Sequence, residues 1–421
     1  MAGAVPKPSQ RLGIYVDAPY RIVRTSNGQI VAVHPADYSL VGVFLGEVGR
    51  HFASVELFGR VEPGGDLDHF VPLPPALRLV ELPDYGDLLQ LRRVLKATGG
   101  TLARFWRRLS GLDVVLVFGP HPLGLLLVAL ALARRRRVVL GVRQDTLAYF
   151  DARLPSRRWR PALVVVRGLD GAYRLLARRV PTLVAGAEIA GRYGGESRHL
   201  LVMADSVVRA SEVAPEPPAR DWSRRIDLLT VGRIDAEKNP LLLVDALGDL
   251  DVAEPGRFHL SWVGGGPMED TVRARARDVG VADHLTLRGW LPFGPEVLDL
   301  YRRSHVFVHV SLTEGTPRVL VEALASGAAI VATDVGGVAA ALDGGGAALL
   351  VPPGDRTALL NAVRRLVEEA DTRARLVERG LELARGRTLE TQAERVATFI
   401  LDGIEGPPRR ATGQPAREGR G

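Results

Sequence analysis

The sequence contains no cysteine among its 421 residues. A disulfide framework and a metal site built from thiolates are therefore excluded. Lysine is almost as scarce, because only three of the 55 basic residues are lysines: Lys7, Lys96 and Lys238. Because the chain uses arginine for nearly every cation, a lysine at position 238 favours a specific role for this residue. A solvated surface lysine is the alternative.

The sequence also lacks a long hydrophobic run. The longest one, residues 123–133, is about half of the ~20 residues that a membrane-spanning helix needs. The first ten residues, MAGAVPKPSQ, do not show the charged-then-apolar pattern of a signal peptide. We therefore expect a cytoplasmic protein, and the length is sufficient for two domains with full hydrophobic cores.

The net charge of +7 is unevenly distributed. Residues 1–210 hold 29 basic and 17 acidic side chains, whereas residues 211–421 hold 26 basic and 31 acidic ones. The basic first half suits an anionic acceptor or peripheral contact with the inner membrane surface. A general preference for arginine is the alternative. Motifs of nucleic-acid recognition are not found, so we expect no nucleic-acid partner.

The most informative stretch is residues 228–350. Four runs rich in Val, Leu and Ile each end on Gly or a polar turn, and helix-like segments follow them. This alternation predicts an α/β fold with a parallel, doubly wound sheet. The Gly and polar residues cluster where the strands end, which is where open α/β sheets bind ligands.

Two cations follow the first of these strands. Arg233 and Lys238 lie in a Gly-containing turn just beyond residues 228–231. An Arg fork and a Lys point charge near the carboxyl ends of strands suit a diphosphate.

Two carboxylates, Glu314 and Glu322, are eight residues apart in the segment EGTPRVLVE. Pro317 indicates the first turn of a helix, with Thr316 as its N-cap. The free N–H groups at such a helix start suit a phosphate. The alternative is an ordinary loop acid followed by an ordinary helix acid.

Together these motifs resemble those of the retaining nucleotide-sugar glycosyltransferases with the GT-B fold, the group called family 4 or glycosyl transferases group 1. The resemblance is close over residues 225–365 and loose elsewhere. It implies that Arg233 and Lys238 hold the donor diphosphate, that Glu314 contacts the donor sugar and that Glu322 contacts the ribose. The other donor-binding residues it implies are Gly232, Gly264, Gly265, Gly266, Trp290, Leu291, Gly315, Thr316, Pro317, Arg318 and Val319.

The resemblance also implies two Rossmann-like, doubly wound domains that face each other across a cleft. We place an acceptor-side domain at residues 1–212, a Pro-rich linker at 213–225 and a nucleotide-sugar domain at 226–388. A helix at 389–405 would return to the first domain, and the Gly-, Pro- and Arg-rich tail at 406–421 is predicted to be disordered.

The first half supplies weaker candidates. His121 follows a strong buried-strand pattern at residues 113–118, and the resembled family has a histidine next to the donor sugar after the matching strand. A turn histidine between two prolines is the alternative. Residues 36–40 stand where the family often has a Gly-Gly loop near the donor phosphates. The acceptor-side candidates are Tyr38, Ser39, Arg143, Gln144 and Asp145.

Metal binding is not expected. Two Asp-x-Asp triplets, residues 66–68 and 249–251, lie in predicted loops without a clear preceding strand. His305 and His309 flank a strand-like run and have no nearby carboxylate in the sequence, so we predict packed or edge histidines. No cofactor beyond the nucleotide-sugar donor is expected.

The main hypothesis is therefore a retaining glycosyltransferase with His121, Arg233, Lys238 and Glu314 as catalytic residues and a small molecule, lipid or glycan as acceptor. One alternative is another GT-B enzyme, such as a sugar-nucleotide epimerase or a phosphorylase; a pyridoxal-dependent phosphorylase would have few lysines to choose from. The other is a non-catalytic basic module that binds a membrane surface.

Overall fold

Short hydrophobic runs become the central strands of two sheets. The computed structural model describes residues 9–24, 30–35, 39–64, 70–86, 91–143, 162–194, 199–203, 206–315 and 317–405. The chain divides into two units. The first comprises Met1–Leu183, Ser197–Leu201 and Ala393–Gly421, and the second comprises Val184–Glu196 and Val202–Gln392.

The main sheet of the first unit has the strand order β5-β3-β1-β6-β7-β8-β9. Strand β1 pairs in parallel with β3 and β6, whereas β2 and β4 extend the far end of β1 in antiparallel fashion. The strands are β1 Arg11–Arg24, β2 Ile30–Pro35, β3 Ser54–Val61, β4 Phe70–Pro72, β5 Leu77–Pro83, β6 Val114–Gly119, β7 Arg137–Val142, β8 Thr182–Ala185 and β9 Leu200–Met203. The helices of this unit are α1 Ser39–Gly49, α2 Leu91–Arg108, α3 Pro122–Ala133 and α4 Ala162–Ala177, whereas α5 Ala187–Tyr193 is assigned to the second unit.

The second unit contains a six-stranded parallel sheet in the order β12-β11-β10-β13-β14-β15. Its strands are β10 Ile226–Val231, β11 Phe258–Val263, β12 Leu285–Leu287, β13 Val306–His309, β14 Ala329–Thr333 and β15 Leu349–Val351. The helices that follow are α6 Pro240–Ala253, α7 Glu269–Asp278, α8 Pro295–Arg303, α9 Arg318–Ala325, α10 Val338–Ala341, α11 Arg356–Glu368, α12 Ala370–Arg385 and α13 Leu389–Glu405.

Burial on both faces of this second sheet explains its continuous apolar runs. Leu228 and Val308 enter one hydrophobic cluster, while their neighbours Leu229 and Phe307 enter another. Successive side chains of a strand point to opposite faces, so both faces must be apolar when helices cover both. The predicted α/β, doubly wound fold is confirmed.

Strand β1 continues to Arg24 because its far end pairs with β2. One local prediction differs from the structure. The triplet at residues 249–251 was predicted as a loop but lies in helix α6. The other triplet, residues 66–68, and the tail at 406–421 lie outside the described residues.

The predicted linker, residues 213–225, packs within the second unit. Ala214 is buried in its core, and the amide of Ala214 donates to the carbonyl of Ala325 at 2.7 Å. Arg220 donates to the carbonyl of Gly327 at 2.8 Å. Helix α13 matches the predicted residues 389–405; it begins in the second unit, and Ala393 onward is assigned to the first.

Candidate functional site

The candidate site lies where the chain reverses its direction of travel across the second sheet. After β10 the chain adds β11 and β12 on one side, then returns to add β13 on the other side of β10. The carboxyl ends of β10 and β13 therefore diverge into loops that leave a crevice for ligands, as in other doubly wound sheets. Lys238 follows β10, and Glu314 follows β13.

Lys238 is fixed by a short 3₁₀ turn at Ala236–Lys238. The Asp235 carboxylate caps this turn by accepting from the backbone amide of Lys238 at 3.3 Å. The amide of Leu312 donates to the carbonyl of Glu237 at 2.8 Å, which joins the loop after β10 to the loop after β13. The Lys238 Nζ then contacts Oε1 of Glu314.

Glu314 has two hydrogen-bond donors on one oxygen, and an imidazole nitrogen lies beside that oxygen. Besides Lys238 Nζ, the Ser311 Oγ donates to its Oε1 at 2.8 Å, and Nε2 of His309 lies 3.1 Å from the same atom. Within the described part of the chain, no group donates to the second oxygen, Oε2. The carboxylate is thus oriented through Oε1 and presents Oε2 to a ligand.

The same contacts fix the charge of Glu314. Burial acts to raise its pKa, but the contacts with His309 and Lys238 act in the opposite direction and bring the pKa to about 2. The carboxylate is therefore ionised at any ordinary pH and can accept a hydrogen bond from a sugar hydroxyl.

His309 and Ser311 are site residues that the sequence analysis missed. His309 was predicted to lack a carboxylate partner, but Glu314 lies beside it. The chain turns back after β13, so residues five positions apart meet. A polar triplet His-x-Ser at the carboxyl end of a buried strand is the signal that was available. His305 is structural as predicted: its Nδ1 accepts from the amide of Asp227 at 3.0 Å, and its Nε2 donates to the carbonyl of Asp221 at 3.1 Å.

The predicted glycines let neighbouring loops approach each other. The amide of Gly264 donates to the carbonyl of Gly289 at 2.7 Å, and the carbonyl of Gly265 accepts from Ile234 at 3.0 Å. A Cβ on Gly264 would lie 2.0 Å from the carbonyl oxygen of Gly232. A Cβ on Gly266 would lie 2.4 Å from the carbonyl oxygen of Ile234. These residues bring the loop after β11 against the loop after β10.

Gly336 allows a similar close approach, in this case to the backbone of Glu314. It adopts a φ of +52°, and a Cβ there would lie 1.8 Å from the Glu314 carbonyl oxygen. A side chain is therefore excluded twice, by the left-handed backbone and by the contact. The turn after β14 sets the position of the Glu314 backbone.

Helix α9 begins at Arg318, one residue later than predicted, and Pro317 occupies the N-cap position with extended backbone. A proline side chain cannot accept a hydrogen bond, so Pro317 does not cap the helix through its side chain. The predicted cap, Thr316, lies outside the described residues. Gly315 is exposed, Arg318 is half-buried, and Val319 packs against the core.

Trp290 and Leu291, two of the predicted donor-binding residues, follow strand β12. Trp290 has 62% of its surface exposed, and Leu291 packs partly against the core. The sequence-predicted donor residues therefore follow four adjacent strands, β12, β11, β10 and β13, at one edge of the sheet.

Glu322 lies deeper than a surface helix acid. It is 5% exposed, and the Tyr301 hydroxyl donates to its Oε2 at 2.9 Å. Burial raises its pKa to about 7, and the Tyr301 hydrogen bond and the nearby Arg318 only partly offset that effect. Its carboxyl group therefore titrates near neutral pH.

Arg233 is held apart from Glu314. Its side chain is 66% exposed and forms ion pairs with Asp235 at 2.9 Å and with Glu237 at 3.5 Å. The structure thus brings Lys238 together with Glu314, while the Arg233 guanidinium is paired with acidic residues of its own turn.

His121 belongs to the first unit, where it follows β6 next to β1. Its Nδ1 lies 3.1 Å from the Tyr15 hydroxyl, and its Nε2 lies 3.0 Å from the Tyr85 hydroxyl. Because the Tyr85 hydroxyl donates to Asp17 at 2.8 Å, the hydrogen-bond pattern assigns the imidazole proton to Nε2. Burial lowers the pKa of His121, and the nearby Asp17 and Arg60 act in opposite directions on it.

The acceptor-side candidates are less well defined. Tyr38, Gln144 and Asp145 lie outside the described residues, as do residues 36–38 of the segment that replaces the Gly-Gly loop. Ser39 is the first residue of α1, and Arg143 directly follows β7.

Among the described residues, no group of three or more His, Asp or Glu side chains is arranged to hold a metal ion. None of the helices described is both long and apolar enough to span a bilayer.

Comparison with known proteins agrees with this geometry. Residues 219–383 match the family model described as glycosyl transferases group 1. A D-inositol 3-phosphate glycosyltransferase from Corynebacterium glutamicum (strain R) is 30% identical over 179 residues, which are 41% of this chain and 43% of that protein. The match thus spans less than half of the relative's length.

Two solved structures resemble the whole chain. A glycosyltransferase from Rickettsia africae ESF-5 aligns over 95% of this chain and 100% of its own with a TM-score of 0.66 and 13% identity. Anabaena HepE in complex with UDP-glucose aligns over 93% and 100% with a TM-score of 0.61 and 16% identity. The chain therefore has the two-domain α/β fold called GT-B, and over residues 219–383 it is similar to the glycosyl transferases group 1.

Proposed function

We propose that the chain is a retaining glycosyltransferase, which moves a sugar from a nucleoside-diphosphate sugar to an acceptor without changing its anomeric configuration. The contact between Lys238 and Glu314 at the carboxyl ends of β10 and β13 carries this proposal. The names of the relatives support it, since one is a glycosyltransferase and another was solved with UDP-glucose.

Positive charge at the site matches the departing diphosphate. Lys238 and the backbone N–H groups at the start of α9 face the loops where the strands end, and Arg233 can exchange Asp235 for a phosphate oxygen. Charges fixed in advance stabilise the negative charge that develops on the leaving group. Losing one such group costs on the order of 10²–10³ in rate. The proposal needs no cofactor beyond the donor.

The two glutamates contact different parts of the donor. Glu314 offers Oε2 to a hydroxyl of the donor sugar, because its Oε1 already accepts from Lys238 and Ser311. Glu322 meets the ribose through Oε1, the oxygen that does not accept from Tyr301. His121 has no catalytic role in this proposal, because both of its ring nitrogens already lie within hydrogen-bond distance of tyrosine hydroxyls.

Hydrolysis of the donor tests this proposal without knowledge of the acceptor. Water is the simplest acceptor, so purified protein is incubated with UDP-, GDP-, ADP- and dTDP-glucose while proton NMR follows the anomeric signals. We expect slow release of one nucleoside diphosphate, with α-glucose appearing before its β anomer. Initial release of β-glucose would contradict retention. Conversion of the sugar while it stays attached to the nucleotide would identify an epimerase instead.

A further inference from the structure

Helix α3 is apolar around its whole circumference and is nevertheless partly exposed. Its sequence, PLGLLLVALALA, contains no polar side chain. Leu123, Leu127 and Val128 face the core, whereas Leu126 and Leu132 keep 43% and 46% of their surface exposed. A helix that is apolar all round is normally buried. The outer side of α3 is therefore suited to an apolar partner.

The neighbouring helix α2 is strongly basic on its outer side. It contains no acidic residue and six cations: Arg92, Arg93, Lys96, Arg104, Arg107 and Arg108. Leu95 and Trp106 are also exposed, at 74% and 38%. The guanidinium of Arg134, at the end of α3, lies 3.7 Å above the Trp106 ring, so the two helices meet through a cation–π contact.

The spacing places these groups on one surface. Leu95, Leu102 and Trp106 are separated by seven and four residues, which is one stripe of a helix. Arg92 and Lys96 lie about 60° and about 100° from Leu95 around the helix axis, and both are exposed. We use the name α2–α3 face for the surface formed by Arg92, Leu95, Lys96, Trp106, Leu126 and Leu132.

We propose that the α2–α3 face docks on an anionic lipid bilayer, with its cations at the headgroups and its exposed leucines and Trp106 in the interfacial layer. Such a combination of basic residues, Trp and Leu is typical of helices that lie in a membrane interface. Four consecutive arginines, residues 134–137, extend the basic region directly from the apolar helix. A second copy of the chain is disfavoured as the partner, because isologous pairing would bring like charges together.

A groove next to α2 provides a place for a phosphate headgroup. It has a volume of about 710 Å³ and is lined by Arg78, Arg104, Arg107 and Arg108 together with Glu81. Arg108 is paired with Glu56 and Arg104 donates to the carbonyl of Glu81. Arg107 donates through its Nε to the carbonyl of Ala103 at 3.3 Å. Arg78 and the terminal nitrogens of Arg107 are then the groove's cations for a lipid phosphate.

Vesicle co-sedimentation of the full chain tests the proposal. Wild type should sediment with phosphatidylglycerol-containing vesicles far more than with pure phosphatidylcholine, and added salt should weaken the binding. Arg92→Gln/Arg93→Gln/Lys96→Gln should bind on the order of 100-fold more weakly, since each cation near an anionic surface contributes about a factor of five to ten. The matched control, Arg277→Gln/Arg364→Gln/Arg375→Gln, removes the same charge from the second unit and should bind like wild type.

A second variant tests how much the exposed leucines of α3 contribute to vesicle binding. Leu126→Ser/Leu132→Ser keeps the charge, and we expect it to weaken binding about tenfold or more while thermal unfolding stays cooperative. Equal losses in the two arginine-containing triple variants would show a general charge effect and overturn the proposal. The same holds if wild type does not bind anionic vesicles, or if light scattering shows that the face joins two copies of the chain.

Discussion

The Nε2 atom of His309 lies 3.1 Å from Oε1 of Glu314, and the two side chains are only 4% and 11% exposed. Lys238 and Ser311 reach the same oxygen. Two donors and the neighbouring imidazole around one carboxylate oxygen hold the group in a single orientation and leave the other oxygen for a ligand.

Removing the His309 imidazole should loosen this carboxylate. We expect His309→Phe, which keeps a ring stacked near Phe307, to lower kcat/KM for donor hydrolysis about tenfold, because a polar contact with a charged group contributes on the order of 1.5 kcal/mol. The matched control is His259→Phe, since His259 is a histidine of the same sheet whose Nε2 lies 2.9 Å from the Thr286 hydroxyl. Equal rates for the His309 variant and wild type would show that Glu314 needs no such support.

Lys238 and Glu314 should be energetically coupled. Each is mostly buried, at 21% and 11% exposure, so Lys238→Met leaves a carboxylate with less compensation and should lower the free energy of unfolding by about 2–3 kcal/mol. Glu314→Gln in the same chain should recover about 1 kcal/mol or more of that loss. A double-mutant cycle from urea unfolding measures the coupling. Strict additivity of the two substitutions would mean that the pair contributes nothing.

Gly336 and Gly344 form a matched pair for testing how the Glu314 loop is positioned. Both have positive φ, +52° and +63°, but only Gly336 has a neighbour where a Cβ would be placed. Gly344→Ala should therefore cost about 1 kcal/mol from backbone strain alone. Gly336→Ala should cost clearly more and weaken nucleotide binding, because the Glu314 backbone must move. Similar Tm and affinity values for the two variants would refute this positioning role.

The raised pKa of Glu322 has a predictable effect on stability. A carboxyl whose pKa is about 7 in the folded chain and 4.5 as its reference value stabilises the fold fully below pH ~4.5, and this contribution disappears as pH rises through about 7. The difference is on the order of 3 kcal/mol. Glu322→Gln cannot ionise, so its Tm should fall less than that of wild type between about pH 5 and about pH 8. Parallel pH profiles would contradict burial of an ionisable group at this position.

The sequence predicted the fold through patterns that depend on local chemistry. Apolar runs ended by Gly or a polar turn marked β10, β11 and β13, and their order along the chain implied which residues follow strand ends. Lys238 stood out because lysine is rare, and it is the cation that contacts Glu314.

What the sequence did not reveal depends on the path of the chain in space. His309 meets Glu314 only because the loop after β13 folds back, and Glu322 is buried because α8 places Tyr301 against it. The ion pairs of Arg233 with Asp235 and Glu237 also depend on the shape of one turn. The acidic residues and the nearby glycine predict a loop at residues 249–251. Leu243, Leu247 and Leu250, however, show the helical spacing that buries one side of α6.

The most direct test of the proposed donor site is a thermal-shift panel of UDP, GDP, ADP and dTDP on wild type and on the Arg233→Ala/Lys238→Ala variant. A ligand present at ~100 times its dissociation constant adds about 2.7 kcal/mol of stability to the state that binds it. We predict that one nucleotide raises the Tm of wild type and leaves the Tm of the double variant unchanged. Equal shifts in the two proteins, or none in wild type, would contradict a diphosphate site at Lys238.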